Sequence, residues 1–328
     1  MTKEHRALVL SPMRGPGWET LQSLVDVVYE PFIEQKPLRL YNDEQLAERV
    51  EAEGATVVVC EGDRVGPNTL DLKPVVIGAT RGDPTNVDVP AATERGVPVL
   101  HAPGRNADAV AELTVGLLFA AARHIVPADD DVRAGETYRD GTIPYQRFRG
   151  WELNGRTAGI VGYGAIGRAL AWRLEGLGMR VIAYDPYAAE ASYELDDLLA
   201  DADVVSMHAP VTPDTIKMIG EKQLALMKPG SIYLNAARAA LHDVDALVDA
   251  LRSGHLAGAG LDHFEGEVLS PDSALAKLPN VVLTPHIGGA TYNVEANHAQ
   301  LMADGIAAIL AGITPKNCVN PEVFAPIS

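Results

Sequence analysis

Short apolar runs alternate with polar segments of helical period in the first part of the chain. The apolar runs, each bounded by polar residues, Gly or Pro, are "RALVL", "ATVVVC", "PVVIGA" and "VPVLHAP". Such uninterrupted runs are typical of strands that are buried on both faces of a parallel sheet. Between them lie segments such as "NDEQLAERVEAEG", a predicted helix that Asn42 can cap. The pattern predicts a first domain of β-α-β units.

A second alternation begins after "YRDGTIPYQRFRGWELNG", a stretch that contains Pro and Gly. Its strand-like runs are "TAGIVG", "RVIAYD", "DVVSMHA", "SIYLNAA", "LAGAGLD" and "VVLTPH", with helical segments between them. They predict a second parallel sheet. One long amphipathic segment, "TYNVEANHAQLMADGIAAILAG", follows. Because a single helix cannot form a core of its own, we expect it to pack on a domain already built.

A glycine-rich turn stands between the strand "TAGIV" and the helical segment "AIGRALAWRLEGLG". Gly162, Gly164 and Gly167 give the pattern G-x-G-x-x-G. In a dinucleotide site the first glycine allows the tight turn, the second lets the backbone approach a pyrophosphate, and the third lets the helix pack closely on the strand. Ala165 and Ile166 belong to the same turn and are predicted cofactor contacts. Taken alone, the pattern also fits an ordinary glycine-rich loop.

The next strand strengthens the prediction of a dinucleotide site. It ends in Asp185, at about the 20-residue separation that such sites use. An acidic side chain at this place accepts hydrogen bonds from the adenosine ribose hydroxyls and repels a 2′-phosphate. Pro186 and Tyr187 follow and supply no compensating Arg. The sequence therefore favours NAD over NADP.

Size and charge limit the other possibilities. A chain of 328 residues with 47% hydrophobic residues can fill two cores. The net charge of -17 disfavours nucleic acid and anionic membranes as partners. Cys60 and Cys318 show no CxxC spacing, so neither a disulfide framework nor a metal site is expected.

Two apolar segments and the cysteine spacing favour a cytoplasmic protein. The apolar run in "MTKEHRALVLSP" is too short for the core of a signal peptide. The most apolar stretch, "AVAELTVGLLFAAARHIV", contains Glu112, Arg123 and His124 and is predicted to be a buried helix rather than a membrane span.

Candidate reactive residues follow the later strands of the second alternation. "SIYLNAAR" ends in Arg238, "LAGAGLDHFEGE" supplies Asp262 and Glu267, and "VVLTPH" ends in His286. Each alone fits an exposed Arg, a charged loop or a buried His. Together they define a chemistry: an Arg fork holds a carboxylate and polarises the adjacent carbonyl, and a His paired with a carboxylate transfers a proton near neutral pH.

Several ordered segments resemble the D-2-hydroxyacid dehydrogenase family, which includes phosphoglycerate dehydrogenases and glyoxylate/hydroxypyruvate reductases. They are "GIVGYGAIGRAL", "NAARAALHDVDALVDAL", "GAGLDHFEGE", "LTPHIGGAT" and "LHAPGRNADAVAELTVGLL". The resemblance implies an α/β fold with two doubly wound parallel-sheet domains, a Rossmann cofactor domain inserted into a flavodoxin-like substrate domain. The substrate domain would comprise residues 1–101 and 292–328 and the NAD-binding domain residues 102–291. A homodimer through the cofactor domain is also implied.

The resemblance also implies roles for individual residues. Arg238 would bind the substrate carboxylate, His286 would be the acid/base, and Glu267 would hold His286. Hydride would pass between the nicotinamide and the 2-carbon of a 2-hydroxy or 2-oxo acid. Asp262 would contact the nicotinamide side of the cofactor. Further cofactor contacts would come from His208, Pro210, Thr215, Ala236, Arg238, His286 and Gly288.

The chain departs from the family pattern at three places. Ala239 stands where the family usually has Gly, and His263 and Gly266 alter the acidic loop. The three catalytic residue types remain, so we expect activity. A dinucleotide-sensing co-repressor is the alternative of another class, and a hydrolase or ligase is disfavoured because no G-x-S-x-G elbow is present.

The first domain bears on the substrate. Phosphoglycerate dehydrogenases place basic residues at three positions that are Cys60, Ala79 and Tyr145 here. A phosphate needs such cations because its charges are costly to desolvate. The sequence therefore disfavours 3-phosphoglycerate, although phosphoglycerate dehydrogenase and glyoxylate/hydroxypyruvate reductase activities remain alternatives.

Two loops of the first domain instead suit a hydroxylated acid. Backbone N–H groups around Gly62 and Gly82 suit a carboxylate, while Glu61 and Asp63 suit the hydroxyls of a polyol. We therefore predict substrate contacts at Glu61, Gly62, Arg81 and Gly82, and a small hydroxylated or sugar acid as the substrate. Alternatively, Glu61 and Asp63 are solvated loop charges that Arg81 satisfies.

Overall fold

The computed structural model describes residues 3–325, which form two compact units. One unit ends at Arg105 and resumes at Thr291, and the other runs from Asn106 to Ala290. The second unit is thus inserted into the chain of the first. The domain limits predicted at residues 102 and 291 fall within a few residues of these bounds.

The first unit contains a five-stranded parallel sheet in the order β2-β1-β3-β4-β5. This is the strand order of a flavodoxin-like doubly wound sheet. The strands are β1 (Arg6–Val9), β2 (Asp26–Tyr29), β3 (Val57–Cys60), β4 (Val76–Ala79) and β5 (Val99–Leu100). The helices are α1 (Gly15–Leu24), α2 (Asp43–Glu53), α3 (Pro67–Asp71) and α4 (Val89–Glu94), with a 3-10 turn at Phe32–Glu34. The four predicted strands are confirmed, whereas β2 was not predicted.

The start of α2 shows how the sequence fixes a helix end. Asn42 Oδ1 accepts a hydrogen bond of 2.9 Å from the N–H of Gln45, and Gln45 Oε1 accepts one of 3.2 Å from the N–H of Asn42. This reciprocal pair satisfies two N–H groups that have no acceptor within the helix. The predicted cap at Asn42 is confirmed.

The long helix at the end of the second alternation completes the first unit. It is α12 (Tyr292–Leu310), and it packs along α1. A Cβ atom on Gly17 would lie 2.3 Å from the backbone nitrogen of Gln300, so the two helices touch at backbone level. The buried face of α12 joins the core formed by β1, β3 and α1. The prediction that this helix packs on an existing domain is confirmed.

The second unit contains a six-stranded parallel sheet in the order β11-β10-β9-β8-β6-β7. Its strands are β6 (Thr157–Val161), β7 (Arg180–Tyr184), β8 (Val204–Met207), β9 (Ser231–Asn235), β10 (Leu256–Leu261) and β11 (Val281–Leu283). All six predicted runs are strands. The order reverses at β6, so the crevice of the sheet opens at the carboxyl ends of β6 and β8.

Seven helices accompany this sheet in the described part of the chain. They are α5 (Ala107–Ala122), α6 (Ile125–Arg133), α7 (Pro144–Arg147), α8 (Ala165–Gly176), α9 (Leu195–Asp201), α10 (Glu221–Leu226) and α11 (Val244–Arg252). Short 3-10 turns lie at Ala239–Leu241, Glu265–Glu267 and Leu275–Lys277. Two core clusters fill the two faces of the sheet.

The most apolar stretch of the sequence forms α5, which is largely buried, and then bends. His124 has a φ of +53°, and α6 leaves at an angle of 66°. Among residues 3–325 no single helix is long and apolar enough to cross a membrane, and only this bent pair reaches the required length and composition. Both cysteines are free thiols.

Candidate active site

The glycine-rich turn connects β6 to α8, and its three glycines meet different surroundings. Gly162 has a φ of +95°, and a Cβ atom there would lie 2.5 Å from the backbone nitrogen of Ala209. A Cβ atom on Gly167 would lie 2.3 Å from the carbonyl oxygen of Gly162. Apart from the two adjoining residues of the chain, no described residue has an atom within 4 Å of the Cβ position of Gly164. Two glycines therefore allow close packing, and the third leaves open space.

The open space lies at the N-terminus of a helix. Gly164 is the N-cap of α8 and contributes no side-chain acceptor. The N–H groups of Ala165, Ile166 and Gly167 belong to the first turn, where a helix offers no acceptor of its own. Uncapped N–H groups at the positive end of a helix bind anions. The turn therefore fits the pyrophosphate of a dinucleotide.

Asp185 follows β7 with its carboxylate held in place. Oδ2 accepts a hydrogen bond of 2.7 Å from the N–H of Tyr163, and Oδ1 accepts one of 2.8 Å from the N–H of Tyr187. Each oxygen keeps a lone pair for a ribose hydroxyl. The sequence interpretation overlooked a cation nearby: Arg168 lies over the Tyr163 ring at 5.2 Å and pairs with Glu190 at 3.2 Å.

The loop after β8 holds three of the predicted cofactor contacts. His208 Nε2 lies 2.8 Å from Ser206 Oγ, and desolvation lowers the pKa of His208 to about 4. Its imidazole is therefore neutral at neutral pH. The Thr215 hydroxyl donates a hydrogen bond of 2.7 Å to the carbonyl of Pro210 and accepts one of 2.7 Å from the N–H of Thr212. Thr215 thus closes the loop, and its contact with a cofactor stays a prediction.

Arg238 lies three residues after the end of β9, and the buried side-chain amide of Asn235 holds its backbone. Asn235 Oδ1 accepts hydrogen bonds from the N–H groups of Ala237 and Arg238, at 3.0 Å and 3.2 Å. Its Nδ2 donates to the carbonyl of Arg238 and to His242 Nδ1, at 2.8 Å and 2.9 Å. The guanidinium of Arg238 is exposed and donates to the carbonyl of Ala237. Asn235 was missed as a site residue, although a polar side chain at the end of a buried strand was a signal.

His286 and Glu267 form a pair in the second unit. His286 Nδ1 lies 2.9 Å from Glu267 Oε2, and both side chains are half-exposed. The φ angles are +54° for His286 and +60° for Glu267, in a region that residues other than glycine rarely adopt. Strain of this kind persists where the surrounding structure enforces it and is common at functional sites.

Asp262 organises the segment that carries His286. Its carboxylate is fully buried and accepts hydrogen bonds from Thr284 Oγ1 at 2.6 Å, from the N–H of Ile287 at 2.9 Å and from the N–H of Gly288 at 2.8 Å. Its carbonyl accepts a hydrogen bond of 2.9 Å from the N–H of His286. The carboxylate has no exposed surface, so the contact with a cofactor expected from the sequence stays a prediction.

His263 is the residue that the sequence interpretation left without a role. Its ring lies against the His286 ring with centroids 3.8 Å apart. The side chain is buried, and Nδ1 has no hydrogen-bond partner among the described residues. Desolvation, followed by the charges of His286 and Arg238, lowers the pKa of His263 to about 4. A neutral imidazole therefore lies beside the His286–Glu267 pair.

Comparison with known proteins identifies the family. Residues 115–288 match the model of the "D-isomer specific 2-hydroxyacid dehydrogenase, NAD binding domain" family. This chain belongs to the D-isomer specific 2-hydroxyacid dehydrogenases. The matched range contains the glycine turn, Arg238, Glu267 and His286.

Relatives within this dehydrogenase family carry different names. The chain is 46% identical over 249 residues to a glyoxylate reductase of Thermococcus litoralis. The aligned segment covers 73% of this chain and 75% of the relative. It is 40% identical over 259 residues to a D-3-phosphoglycerate dehydrogenase of Archaeoglobus fulgidus. This aligned segment covers 76% of this chain but only 48% of the relative. The chain thus spans about half the length of that dehydrogenase.

A solved structure extends the similarity to the whole fold. The NAD-complexed D-isomer specific 2-hydroxyacid dehydrogenase of Lactobacillus delbrueckii ssp. bulgaricus superimposes with a TM-score of 0.78 at 28% identity. The similarity covers 96% of this chain and 99% of that one. The doubly wound fold of both units is therefore the fold of this dehydrogenase family.

Four of the substrate contacts predicted for this dehydrogenase, Glu61, Gly62, Arg81 and Gly82, lie in its first unit. Glu61 follows β3 and forms an ion pair with Arg105, whose other nitrogen donates a hydrogen bond of 2.7 Å to His298 Nδ1. Thr80 Oγ1 lies 3.4 Å from Glu61 Oε2. The partner of Glu61 is therefore Arg105, not Arg81 as the alternative from the sequence supposed.

The position of Asp63 differs from the one expected from the sequence. It was expected to accept hydrogen bonds from substrate hydroxyls, but its side chain is 1% exposed and its Oδ1 accepts a hydrogen bond of 2.9 Å from the N–H of Tyr41. Desolvation raises the pKa of Asp63. Asp63 is therefore part of the interior and is not available to a substrate.

Arg81 and the two glycines stay available. Arg81 follows β4, and within residues 3–325 its guanidinium takes part in no hydrogen bond or ion pair. The carbonyl of Gly82 accepts a hydrogen bond of 2.8 Å from His101 Nδ1. Gly62 packs against Leu40. Arg81 is thus an uncommitted cation at the carboxyl edge of the first sheet.

Proposed function

We propose that this chain is an NAD-dependent oxidoreductase that interconverts a D-2-hydroxy acid and its 2-oxo acid, with a small hydroxylated acid or sugar acid as the substrate. The pairing of His286 Nδ1 with Glu267 Oε2 at 2.9 Å carries the proposal. A histidine oriented by a carboxylate is suited to proton transfer near neutral pH. It lies in the same unit as a turn that fits a dinucleotide.

The proposed chemistry divides between the cofactor and three side chains. The nicotinamide supplies hydride exchange with the 2-carbon of the acid. Arg238 holds the substrate carboxylate and polarises the oxygen on the 2-carbon. His286 accepts the hydroxyl proton during oxidation and donates it during reduction, while Glu267 orients the imidazole and stabilises its protonated form.

We also propose NAD(H) rather than NADP(H) as the cofactor. The support is the fixed carboxylate of Asp185, which repels a 2′-phosphate. Arg168, the other charged group on this turn, forms an exposed ion pair with Glu190. The proposed cofactor contacts are Gly162, Gly164, Ala165, Ile166, Gly167, Asp185, His208, Pro210, Thr215, Ala236, Arg238, Asp262, His286 and Gly288.

The substrate class rests on the first unit. Its loops lie at the carboxyl ends of β3 and β4, the edge where doubly wound sheets bind ligands. Cys60 and Ala79 end these strands, where a phosphate would require cations. Arg81 supplies one uncommitted positive charge, which suits a carboxylate better than a phosphate dianion. The proposed substrate contacts are Glu61, Gly62, Arg81, Gly82, Arg238 and His286.

A substrate panel tests this function. The full chain is incubated with NAD and a set of 2-hydroxy acids, sugar acids and their phosphates, and the appearance of NADH is followed by absorbance. Reduction of the matching 2-oxo acids with NADH is measured in parallel. We expect the highest kcat/KM for an unphosphorylated hydroxylated acid. A clear preference for 3-phosphoglycerate or for glyoxylate would replace the proposal with one of these two alternatives.

A dinucleotide-sensing binding protein is the second class considered. It would bind NADH without turning over any acid of the panel. The His286–Glu267 pair favours the enzyme, because binding NADH alone does not require a proton donor, and strained backbone such as that of this pair is common at active sites.

We further propose a cytoplasmic homodimer formed through residues 102–291. The resemblance to the family supports the dimer. The absence of CxxC spacing fits a reducing cytoplasm. Light scattering of the purified chain measures the subunit number directly. A monomer at micromolar concentration contradicts the dimer.

A further inference from the structure

Three potential metal ligands meet beside the catalytic pair. One ligand atom each from His263, Glu267 and His286 lies within 4.8 Å of the others. His263 Nδ1 is 4.0 Å from Glu267 Oε1, and His286 Nδ1 is 2.9 Å from Glu267 Oε2. Around a tetrahedral zinc ion, ligand atoms are about 3.4 Å apart, since the metal–ligand bonds are about 2.1 Å long. Small side-chain rotations would therefore bring these atoms into a metal shell.

His263 has a buried ring nitrogen that a metal ion could bind. Its side chain is only 5% exposed, and Nδ1 has no hydrogen-bond partner within the described residues. An unpaired buried nitrogen costs free energy, whereas a metal ion would satisfy its lone pair. Glu267 and His286 are half-exposed, so a cation from solvent can reach the cluster.

We propose that His263, Glu267 and His286 form an inhibitory site for a zinc-like divalent cation. Two imidazoles and one carboxylate, with a fourth position left to water, are a ligand set that zinc takes in proteins. The mixture of nitrogen and oxygen ligands favours a borderline-soft cation over Mg²⁺ or Ca²⁺, which prefer oxygen alone.

Metal binding would disable the proposed proton transfer. With zinc on Nδ1, the imidazole of His286 carries its remaining proton on Nε2 and has no free lone pair to accept another. In the reverse direction this neutral N–H is a far weaker acid than an imidazolium. The metal would also occupy the Glu267 oxygens that orient His286. Inhibition thus rests on the proposed function, whereas binding does not.

Cobalt binding tests the site without turnover. Co²⁺ is titrated into the full-length, metal-free chain, and the visible absorption of tetrahedral cobalt is recorded before and after displacement by Zn²⁺. The test variants are His263→Phe, which keeps a ring beside His286, and His263→Leu, a second replacement in case the first fails to fold. His124→Asn is the matched control, because this histidine lies outside the cluster and Asn tolerates its positive φ.

We expect one equivalent of Co²⁺ per chain with the absorption of a tetrahedral site, and displacement by Zn²⁺. Both His263 variants should raise the zinc dissociation constant at least about tenfold, and His124→Asn should not change it. Zinc should abolish turnover over the range in which it displaces cobalt. Absence of the cobalt absorption, or equal zinc affinity in the His263 variants, overturns the site. Binding without loss of turnover overturns the inhibition, and an inactive substrate panel leaves the cobalt result to decide the site alone.

Discussion

His286 Nδ1 and Glu267 Oε2 are 2.9 Å apart, and both residues have positive φ angles. If this pair transfers the proton, His286→Ala should lower kcat by roughly 100-fold to 10,000-fold, the usual range for a lost general acid/base. NADH affinity, measured by fluorescence titration, should stay nearly the same. Glu267→Gln should cost less and should shift the pH dependence of kcat, because the protonated imidazole loses its partner. An unchanged kcat in His286→Ala would falsify the assignment.

The cofactor preference should depend on Asp185. Asp185→Ser combined with Tyr187→Arg should raise kcat/KM for NADP(H) relative to NAD(H), because a repelling carboxylate is replaced and a cation is added. Tyr187 is 94% exposed, so its replacement should cost little stability. Tyr187→Arg alone is the control and should have the smaller effect. A parent protein that already prefers NADP(H) contradicts the role given to Asp185.

Two glycines of the same turn should respond in opposite ways. Gly167→Ala should destabilise the protein, because its Cβ would lie 2.3 Å from the carbonyl oxygen of Gly162. Gly164→Ala should leave the melting temperature almost unchanged, since no described residue other than its two chain neighbours lies within 4 Å of that Cβ, but should weaken NADH binding. Calorimetry and fluorescence titration measure both. Equal NADH affinity in Gly164→Ala and the parent would show that the open space is not the pyrophosphate site.

Glu61 distinguishes a substrate contact from a structural ion pair. Glu61→Ala should lower kcat/KM for a polyhydroxy acid by a factor that corresponds to about 1–3 kcal/mol of transition-state stabilisation, the cost of leaving a buried polar group unpaired. It should hardly change kcat/KM for glyoxylate. The melting temperature is measured alongside, because Arg105 also loses its ion pair. Equal losses on both substrates would assign Glu61 to its pair with Arg105 alone.

His242 should make the protein sensitive to acid. It is 3% exposed, and desolvation lowers its pKa to about 4. An unfolded histidine has a pKa near 6.5, so above that pH its contribution is intact, and it is lost as the pH falls from 6.5 towards 4. At pH 5 the loss is about 2 kcal/mol, or about 4–8 °C in melting temperature.

The neutral variant His242→Gln tests this linkage. Its melting temperature should fall less than that of the parent between pH 8 and pH 5, whatever its stability at pH 8. The comparison within each protein removes the cost of the lost contacts with Asn235 and Tyr233. Identical pH dependence in both proteins would show that His242 does not titrate on unfolding.

The strands were predictable where the sequence carries an uninterrupted apolar run, as it does at all six strands of the second sheet, including the partly buried edge strands β7 and β11. The exception, β2, is a half-buried edge strand that only Val25 separates from α1. Neither a turn signal nor a fully apolar run marks it. A short connection and a half-buried face thus remove both signals that identify a strand.

The candidate site was predictable in its residue types but not in its contacts. Strand ends marked Arg238 and His286, because polar residues after buried strands meet at one edge of a sheet. The stacking of His263 on His286 and the capture of Glu61 by Arg105 depend on how loops distant in sequence fold back. No periodicity encodes such contacts, and the assignment of Asp63 failed for the same reason.

The packing of α12 on α1 has a consequence for biosynthesis. As the chain leaves the ribosome, residues 106–290 are complete before α12 has been translated, so the inserted unit can reach its native state first. Until then α1 lacks the helix that comes within backbone contact of Gly17, and part of the apolar core beneath it stays open. The unit whose synthesis starts first can therefore complete its core only after the whole inserted unit has been synthesised.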